Sequence, residues 1–267
     1  MSPHASLQGA LGDLARVAGQ WVAGWWRIVR LAALLLVLGL SPSSYAAENR
    51  RALAHHMVLD TTPTLLWFTV LTTLISVVLI RIVLVTAVSY DLTQYALEMV
   101  VRVLVLELIP LTAALFAALR CTIPNGAEVA AVRARGGWST WSPVGMDQLR
   151  REVLPRVGSG VFCALMLAAV SCVVTLVVAY LSVYGLTTAG FAAYTNTVGH
   201  VFSTAVSLIF ALKILFLSIT VALMPIASAL DEAPSLGVRT SAELRGLVRM
   251  FLIVLLVEAA SLIGNYY

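Results

Sequence analysis

Long apolar segments alternate with shorter polar segments along most of this chain. A helix needs roughly 20 consecutive apolar residues to cross the hydrocarbon core of a bilayer. Five segments meet that length, and they predict membrane-spanning helices at residues 63–88, 95–119, 157–184, 201–226 and 247–264. The pattern contains neither a repeat nor a second soluble domain, so residues 1–267 are predicted to form one all-α membrane domain.

Residues 1–56 follow a different pattern, which predicts interfacial and cytoplasmic helices. Apolar side chains recur at helical spacing from residue 7 to residue 30 alongside Trp and Arg, which is typical of an amphipathic helix in the headgroup layer. The apolar run at residues 31–40 is short for a span, so we expect it to dip into the membrane or to continue the interfacial helix. A cleaved signal peptide is the alternative, because an Arg pair precedes this run and small residues follow it.

Charged residues are scarce and unevenly placed. They make up 11% of the chain and hydrophobic residues make up 60%, whereas soluble domains carry about 25% charged residues. The net charge of +4 does not indicate nucleic-acid binding, because every basic residue except Lys213 is Arg and the arginines lie between apolar segments. Six arginines fall within residues 120–156, which predicts a cytoplasmic segment by the positive-inside rule. Within this segment, residues 127–135 and residues 147–154 can each form a short helix. Alternation then predicts a cytoplasmic N-terminus and an external C-terminus.

The sequence gives an enzyme activity little support. Lys213 is the only lysine, which excludes a phosphate-binding GxxxxGK[ST] loop, and no HExxH, GxSxG or GxGxxG sequence occurs. His55 and His56 are adjacent and would point to different faces of a helix, and the three cysteines lack ligand-like spacing. We therefore predict no catalytic residue, no metal site and no cofactor bound by this chain.

Ionisable residues within the predicted spans are the candidate functional groups, because buried charge in a membrane is costly. Glu107, Lys213 and Glu258 fall near mid-depth on three different spans, and we expect Lys213 to pair with a glutamate, foremost Glu107. Glu98 and Arg102 are four residues apart on one helix face, a spacing that favours an ion pair. These groups either orient the helices or form a polar element of a transport path.

Several short motifs around Glu107 resemble the MlaE/YrbE permease family, the membrane subunits of bacterial ABC lipid transporters that work with MCE-domain proteins. The resemblance covers nearly the whole chain, including the amphipathic start and the five spans. The matching residues are Glu107, Leu108, Pro110 and Arg120, then Ala127 and Glu128, then Gly145, Met146 and Asp147, then Pro155 and Arg156, and finally Lys213 with Ile219, Thr220 and Val221.

The resemblance implies an inner-membrane permease that acts as a homodimer or heterodimer with a second permease copy. Its expected partners are a cytoplasmic ABC ATPase that binds the ATP, a periplasmic MCE-domain protein, and a phospholipid or another lipid as cargo. Residues 120–156 would be the segment that couples the ATPase to the spans, with Pro110 and Pro155 as kinks. The predicted coupling residues are Arg120, Glu128, Arg133, Asp147 and Arg156.

The chain also departs from the family pattern. Leu106 and Leu119 replace an Arg and a Gly, Gln148 replaces a Pro, and residues 136–142 replace an acidic segment of the coupling region. These departures leave open a second class, a non-transporting membrane scaffold or a degenerate subunit of a heteromeric permease. An ion-coupled carrier is disfavoured, because five spans without an internal repeat do not suit it.

Overall fold

The structure is a computed structural model that describes residues 19, 22–26, 28–39, 41, 47–136, 143–231 and 239–266. Within these ranges the chain is helical apart from short turns, and it forms seven helices. They are α1 (Val22–Gly39), α2 (Ala47–Ser89), α3 (Thr93–Met99 through Ile123–Gly136), α4 (Pro143–Gln148 through Leu154–Tyr184), α5 (Phe191–Val201), α6 (Thr204–Asp231) and α7 (Arg239–Tyr266).

Six of these helices, all except α5, are long and apolar enough to cross a membrane by length and composition. The sequence predicts five spans, and the difference is α1. Its apolar length is greater than the ten-residue run suggests, because the helix already includes the Trp-rich residues 22–26. The rest of the predicted interfacial helix, from residue 7, lies almost entirely outside the described residues.

α3 and α4 contain π-helical stretches, and each stretch ends two residues before a proline. They are Val100–Leu108 before Pro110, Ala118–Thr122 before Pro124, and Leu149–Val153 before Pro155. A proline donates no N–H, and its ring clashes with the carbonyl four residues earlier in an α-helix. The wider π turn accommodates both effects, so the helix continues through each proline.

The described parts of the predicted coupling segment, residues 120–136 and 143–156, therefore belong to two long helices. The apolar helix Tyr95–Gly136 has 42 residues and Gly145–Tyr184 has 40. At about 1.5 Å per residue each is roughly 60 Å long, about twice the thickness of a hydrocarbon core. The short helices predicted at residues 127–135 and 147–154 are continuous extensions of the second and third spans, because a π stretch precedes both Pro124 and Pro155 and Gly126 lies within the helix Ile123–Gly136.

Two other elements differ from the sequence prediction. The segment predicted as a loop between the third and fourth spans contains helix α5, whose Tyr194 is buried and donates a hydrogen bond to the Leu176 carbonyl at 2.8 Å. The last helix begins at Arg239, eight residues before the predicted start of its span. Both helices include polar residues that a hydropathy pattern assigns to loops.

Helix packing depends on small and weakly polar side chains. α3 buries Ala113, Ala114, Ala117 and Ala118 in the core shared with α4 and α6. The hydroxyls of Ser76 on α2 and Thr175 on α4 hydrogen bond at 3.0 Å. Small residues of this kind allow helix backbones to approach closely where lipid provides no hydrophobic drive for association. This packing holds α3, α4 and α6 together.

Candidate functional site

Lys213 lies at the centre of a buried charge cluster formed by α3, α6 and α7. Its side chain is 1% exposed, and its ammonium donates to Glu107 Oε2 and to Glu258 Oε1, the latter at 2.8 Å. A third hydrogen bond runs from Lys213 Nζ to the Leu106 carbonyl at 3.1 Å. The pairing predicted for Lys213 is therefore present in the structure, and it involves both glutamates.

The Leu106 carbonyl is available to Lys213 because of Pro110. In an α-helix the N–H of residue 110 would bond to the carbonyl of residue 106, and in a π-helix to that of residue 105. Proline supplies neither bond. Side chains from other helices take these acceptors, since Lys213 donates to Leu106 and Cys172 Sγ lies 3.8 Å from the Val105 carbonyl. Pro110 thus creates part of the lysine site as well as interrupting the helix.

One face of α7 adds further polar groups to the cluster. Glu258, Ser261 and Asn265 are spaced three and four residues apart, so they share a helix face. Asn265 Nδ2 donates to Glu107 Oε1 at 3.2 Å. Glu258 Oε2, Ser261 Oγ and Asn265 Oδ1 are buried without a hydrogen-bond partner among the described residues. With one ammonium facing two carboxylates, the cluster has a surplus of acceptors and can receive a proton or another donor group.

The pair formed by Glu98 and Arg102 is separate from this cluster. Arg102 Nε lies 2.9 Å from Glu98 Oε1, so the predicted ion pair is present, but both side chains are more than a third exposed. The structure does not bring them into contact with Lys213. Both side chains lie on the surface of α3. The sequence analysis grouped them with the buried charges only because they lie in the same predicted span as Glu107.

At the opposite end of α3, Arg156 links the two long helices. Its Nη1 lies 2.7 Å from Glu152 Oε2 on α4, and its Nε lies 3.6 Å from Glu128 Oε2 on α3. The Arg156 side chain is 11% exposed. Arg133 donates to the Leu230 carbonyl and so connects α3 with the end of α6. Three of the five predicted coupling residues therefore hold this end of the bundle together.

The other two predicted coupling residues lie on the surface. Arg120 is exposed within the π stretch Ala118–Thr122. Asp147 lies 3.1 Å from Arg151 in an ion pair whose side chains are both more than half exposed. Among the described residues, neither Arg120 nor Asp147 forms an ion pair with another helix, so both can contact a partner from outside the bundle.

A polar cluster around Asp60 was missed by the sequence analysis. Asp60 Oδ2 accepts hydrogen bonds from Ser159 Oγ and, at 3.1 Å, from Asn125 Nδ2, which joins α2, α3 and α4. Cys121 Sγ and Cys163 Sγ lie 3.0 Å apart beside it. The available signal was an aspartate inside an apolar stretch three residues before Pro63, between the predicted N-terminal helix and the first predicted span.

Among the described residues, no group of three or more His, Cys, Asp or Glu side chains is placed to hold a metal ion. His55 and His56 have ring centroids 6.3 Å apart on α2. The side chains of the two polar clusters carry carboxylates, hydroxyls, thiols, amides and the Lys213 ammonium, and most of these groups hydrogen bond to one another. The arrangement is suited to holding helices and binding protons or polar groups.

The six long apolar helices and the buried charges between them define a multi-pass membrane protein. The family model of the MlaE permease matches residues 53–263, most of the chain. The chain therefore belongs to the MlaE permease family, whose members are the membrane permease subunits of lipid transporters and work in ABC transporter complexes. Such a subunit has no catalytic activity of its own. No individual curated protein matches the chain.

Proposed function

We propose that this chain couples a partner ABC ATPase to lipid movement between the inner and outer membranes of a bacterium. It lies in the inner membrane with its N-terminus in the cytoplasm and its C-terminus in the periplasm. The family match is the observation that carries this proposal. The concentration of arginines at the ends of α3 and α4 supports the orientation through the positive-inside rule.

The projecting ends of α3 and α4 are the proposed contact with the ATPase. Glu152 of α4 fixes the Arg156 side chain, and Arg156 pairs with Glu128 of α3, so a movement of one helix is transmitted to the other through this pair. Arg120 and Asp147 are exposed on the same two helices and would meet the ATPase directly. The ATP is bound by that partner, and this chain supplies no cofactor.

The Lys213 cluster is the proposed polar element of the lipid path. Its ammonium connects α3, α6 and α7, so a relative movement of these helices must break or exchange a charged hydrogen bond. A second permease copy, identical or not, and a periplasmic MCE-domain protein would complete the assembly. Phospholipid is the cargo class that the family suggests.

The first experiment is a mild-detergent purification of the tagged chain from its native host, with identification of bound proteins and lipids. An ATPase and an MCE-domain protein in the eluate would support the transporter. A chain that purifies without an ATPase would favour the alternative, a non-transporting scaffold or a degenerate subunit. That alternative draws its support from residues 136–142, which replace the acidic coupling segment of the family.

Charge reversal tests the coupling residues in the assembled transporter. Arg120→Glu and Glu128→Arg are expected to lower lipid transport several-fold while ATP hydrolysis continues, because the contact that transmits movement is lost. Arg135→Glu is the matched control, since Arg135 lies in the same segment, is exposed, donates to the Ala131 carbonyl of its own helix and is not among the predicted coupling residues. Undiminished transport in both test variants would refute the coupling role.

A further inference from the structure

An apolar cavity of about 550 Å³ lies between α1, the start of α2, α4 and α6. Its volume is within the range of about 300–1,000 Å³ that is common for ligand pockets. Leu35 and Gly39 contribute from α1, Met57 from α2, and Leu165 and Leu215 from the longer helices. The cavity and the Lys213 cluster lie on different faces of α6, because Lys213 and Leu215 are two positions apart on one helix.

Arg150 is the only charged residue among the described residues that line this cavity. Its Nε atom is buried and has no hydrogen-bond partner in the described part of the chain. The two neighbouring carboxylates on α4 are already engaged, because Asp147 pairs with Arg151 and Glu152 pairs with Arg156. A buried donor of this kind requires an acceptor, and the cavity is the place from which an acceptor can come.

The lining of the cavity extends over a length that suits a lipid chain. Arg150 and Leu165 both line it, and fifteen helical residues separate them, a rise of roughly 22 Å. One leaflet of the hydrocarbon core is about 15 Å thick. The cavity thus combines an apolar lining on the scale of one leaflet with a guanidinium at one end of its α4 wall. Guanidinium groups bind phosphate through two parallel hydrogen bonds, and basic pockets between membrane helices bind anionic lipid headgroups.

We propose that this cavity is a binding site for one anionic phospholipid, with an acyl chain between α1, α4 and α6 and the phosphate on Arg150. The site is distinct from the charge cluster of the transport path. The lipid would hold α1 against the bundle, since α1 contributes one wall of the cavity. This inference does not depend on transport or on an ATPase.

Native mass spectrometry of the purified full-length chain tests the site. The probes are phosphatidylglycerol and phosphatidylcholine with identical acyl chains, added together in equal amounts. The wild-type chain is expected to retain phosphatidylglycerol in preference to phosphatidylcholine. Arg150→Gln should reduce the retained phosphatidylglycerol about tenfold, the loss expected for one charge-assisted hydrogen-bonding group. Arg135→Gln is the control and should behave as the wild type, because Arg135 is exposed, does not line the cavity and donates to the Ala131 carbonyl of its own helix.

Filling the cavity provides a second, independent variant. A Cβ at Gly39 would meet only Leu154 Cδ1, at an ordinary contact distance of 3.6 Å, so Gly39→Phe adds a ring to the cavity with little strain on the backbone. This variant should lose both lipids while it elutes as the same species in size-exclusion chromatography. Equal retention of the two lipids by the wild type, or unchanged phosphatidylglycerol in Arg150→Gln or Gly39→Phe, would overturn the proposal. Failure here leaves the proposed transport function standing, because no transport is measured.

Discussion

Lys213 shows how a charge can be held in the apolar interior of a helix bundle. An isolated ammonium at such depth loses its hydration, and the cost is offset only when its protons reach good acceptors. Lys213 has three acceptors, two of them carboxylates. Glu107 is in turn held at both oxygens, by Lys213 and by Asn265. The cluster is therefore a mutually dependent set, and removing one member leaves the others unpaired.

Replacement of Lys213 by Met should strongly destabilise the protein. The two glutamates would face each other without a cation, and breaking a buried pair in this way costs about 3–5 kcal/mol. Thermal unfolding of the purified chain in detergent measures the effect as a lower Tm. Arg102→Met, which breaks an exposed pair, should change stability by less than about 1 kcal/mol.

A triple variant checks the cause of that loss. Lys213→Met combined with Glu107→Gln and Glu258→Gln removes the unpaired charges, so it should recover a large part of the lost stability. If the triple variant were as unstable as Lys213→Met alone, then the packing of the lysine stem and not the charge would explain the effect.

Part of this site could be predicted from the sequence. Glu107, Lys213 and Glu258 are conspicuous as charges inside apolar segments, and their depth along each span predicts that they meet. The contributions of Leu106 and Asn265 could not be predicted in the same way. One depends on a carbonyl released by Pro110, and the other on a final helix that runs past the predicted end of its span at residue 264.

At the scale of helices, the three interior prolines of α3 and α4, which are Pro110, Pro124 and Pro155, have a common effect. Each follows a π stretch, and the helix continues beyond it. Sequence rules predict a kink or an end at such a proline, because they consider only the lost hydrogen bond and the clash. They do not include the option of a wider turn, and for this reason the continuous extension of both helices was not predicted.

The crossing of α3 and α6 at Gly126 offers a test of close helix packing. A Cβ at this position would lie 3.2 Å from the backbone carbon and oxygen of Pro225, which is too close for an unshifted backbone. Gly126→Val should therefore force the helices apart and cost about 1–3 kcal/mol. Thermal unfolding in detergent measures this loss.

Gly199 in α5 is the matched control for Gly126. It is also a helical glycine, but a Cβ there would meet nothing within 4 Å. Gly199→Val should change the stability by less than about 0.5 kcal/mol, since valine has a slightly higher helix propensity than glycine. Equal destabilisation by the two substitutions would mean that close packing at Pro225 is not the cause.

At the scale of the whole molecule, hydropathy predicts the spans better than it predicts the polar helical segments. The predicted span positions agree with long helices, because hydropathy over about 20 residues reports burial in lipid directly. The short α5 and the early start of α7 escaped prediction, because their polar residues resemble those of loops. The helix bundle has two unlike ends. The arginines of residues 120–156 lie at one end, and the turn 90–92 and the α4–α5 turn lie at the other.

Cysteine labelling in intact cells tests the orientation of the two ends. The native thiols of Cys121, Cys163 and Cys172 are buried, so their background reaction should be low. Leu186→Cys, at a residue that is 94% exposed in the α4–α5 turn, should react with a membrane-impermeant maleimide once the outer membrane is opened. Ala134→Cys, exposed near the end of α3, should react only after the inner membrane is also opened. The reverse order of reaction would invert the topology, and the Arg-rich end could then no longer contact a cytoplasmic ATPase.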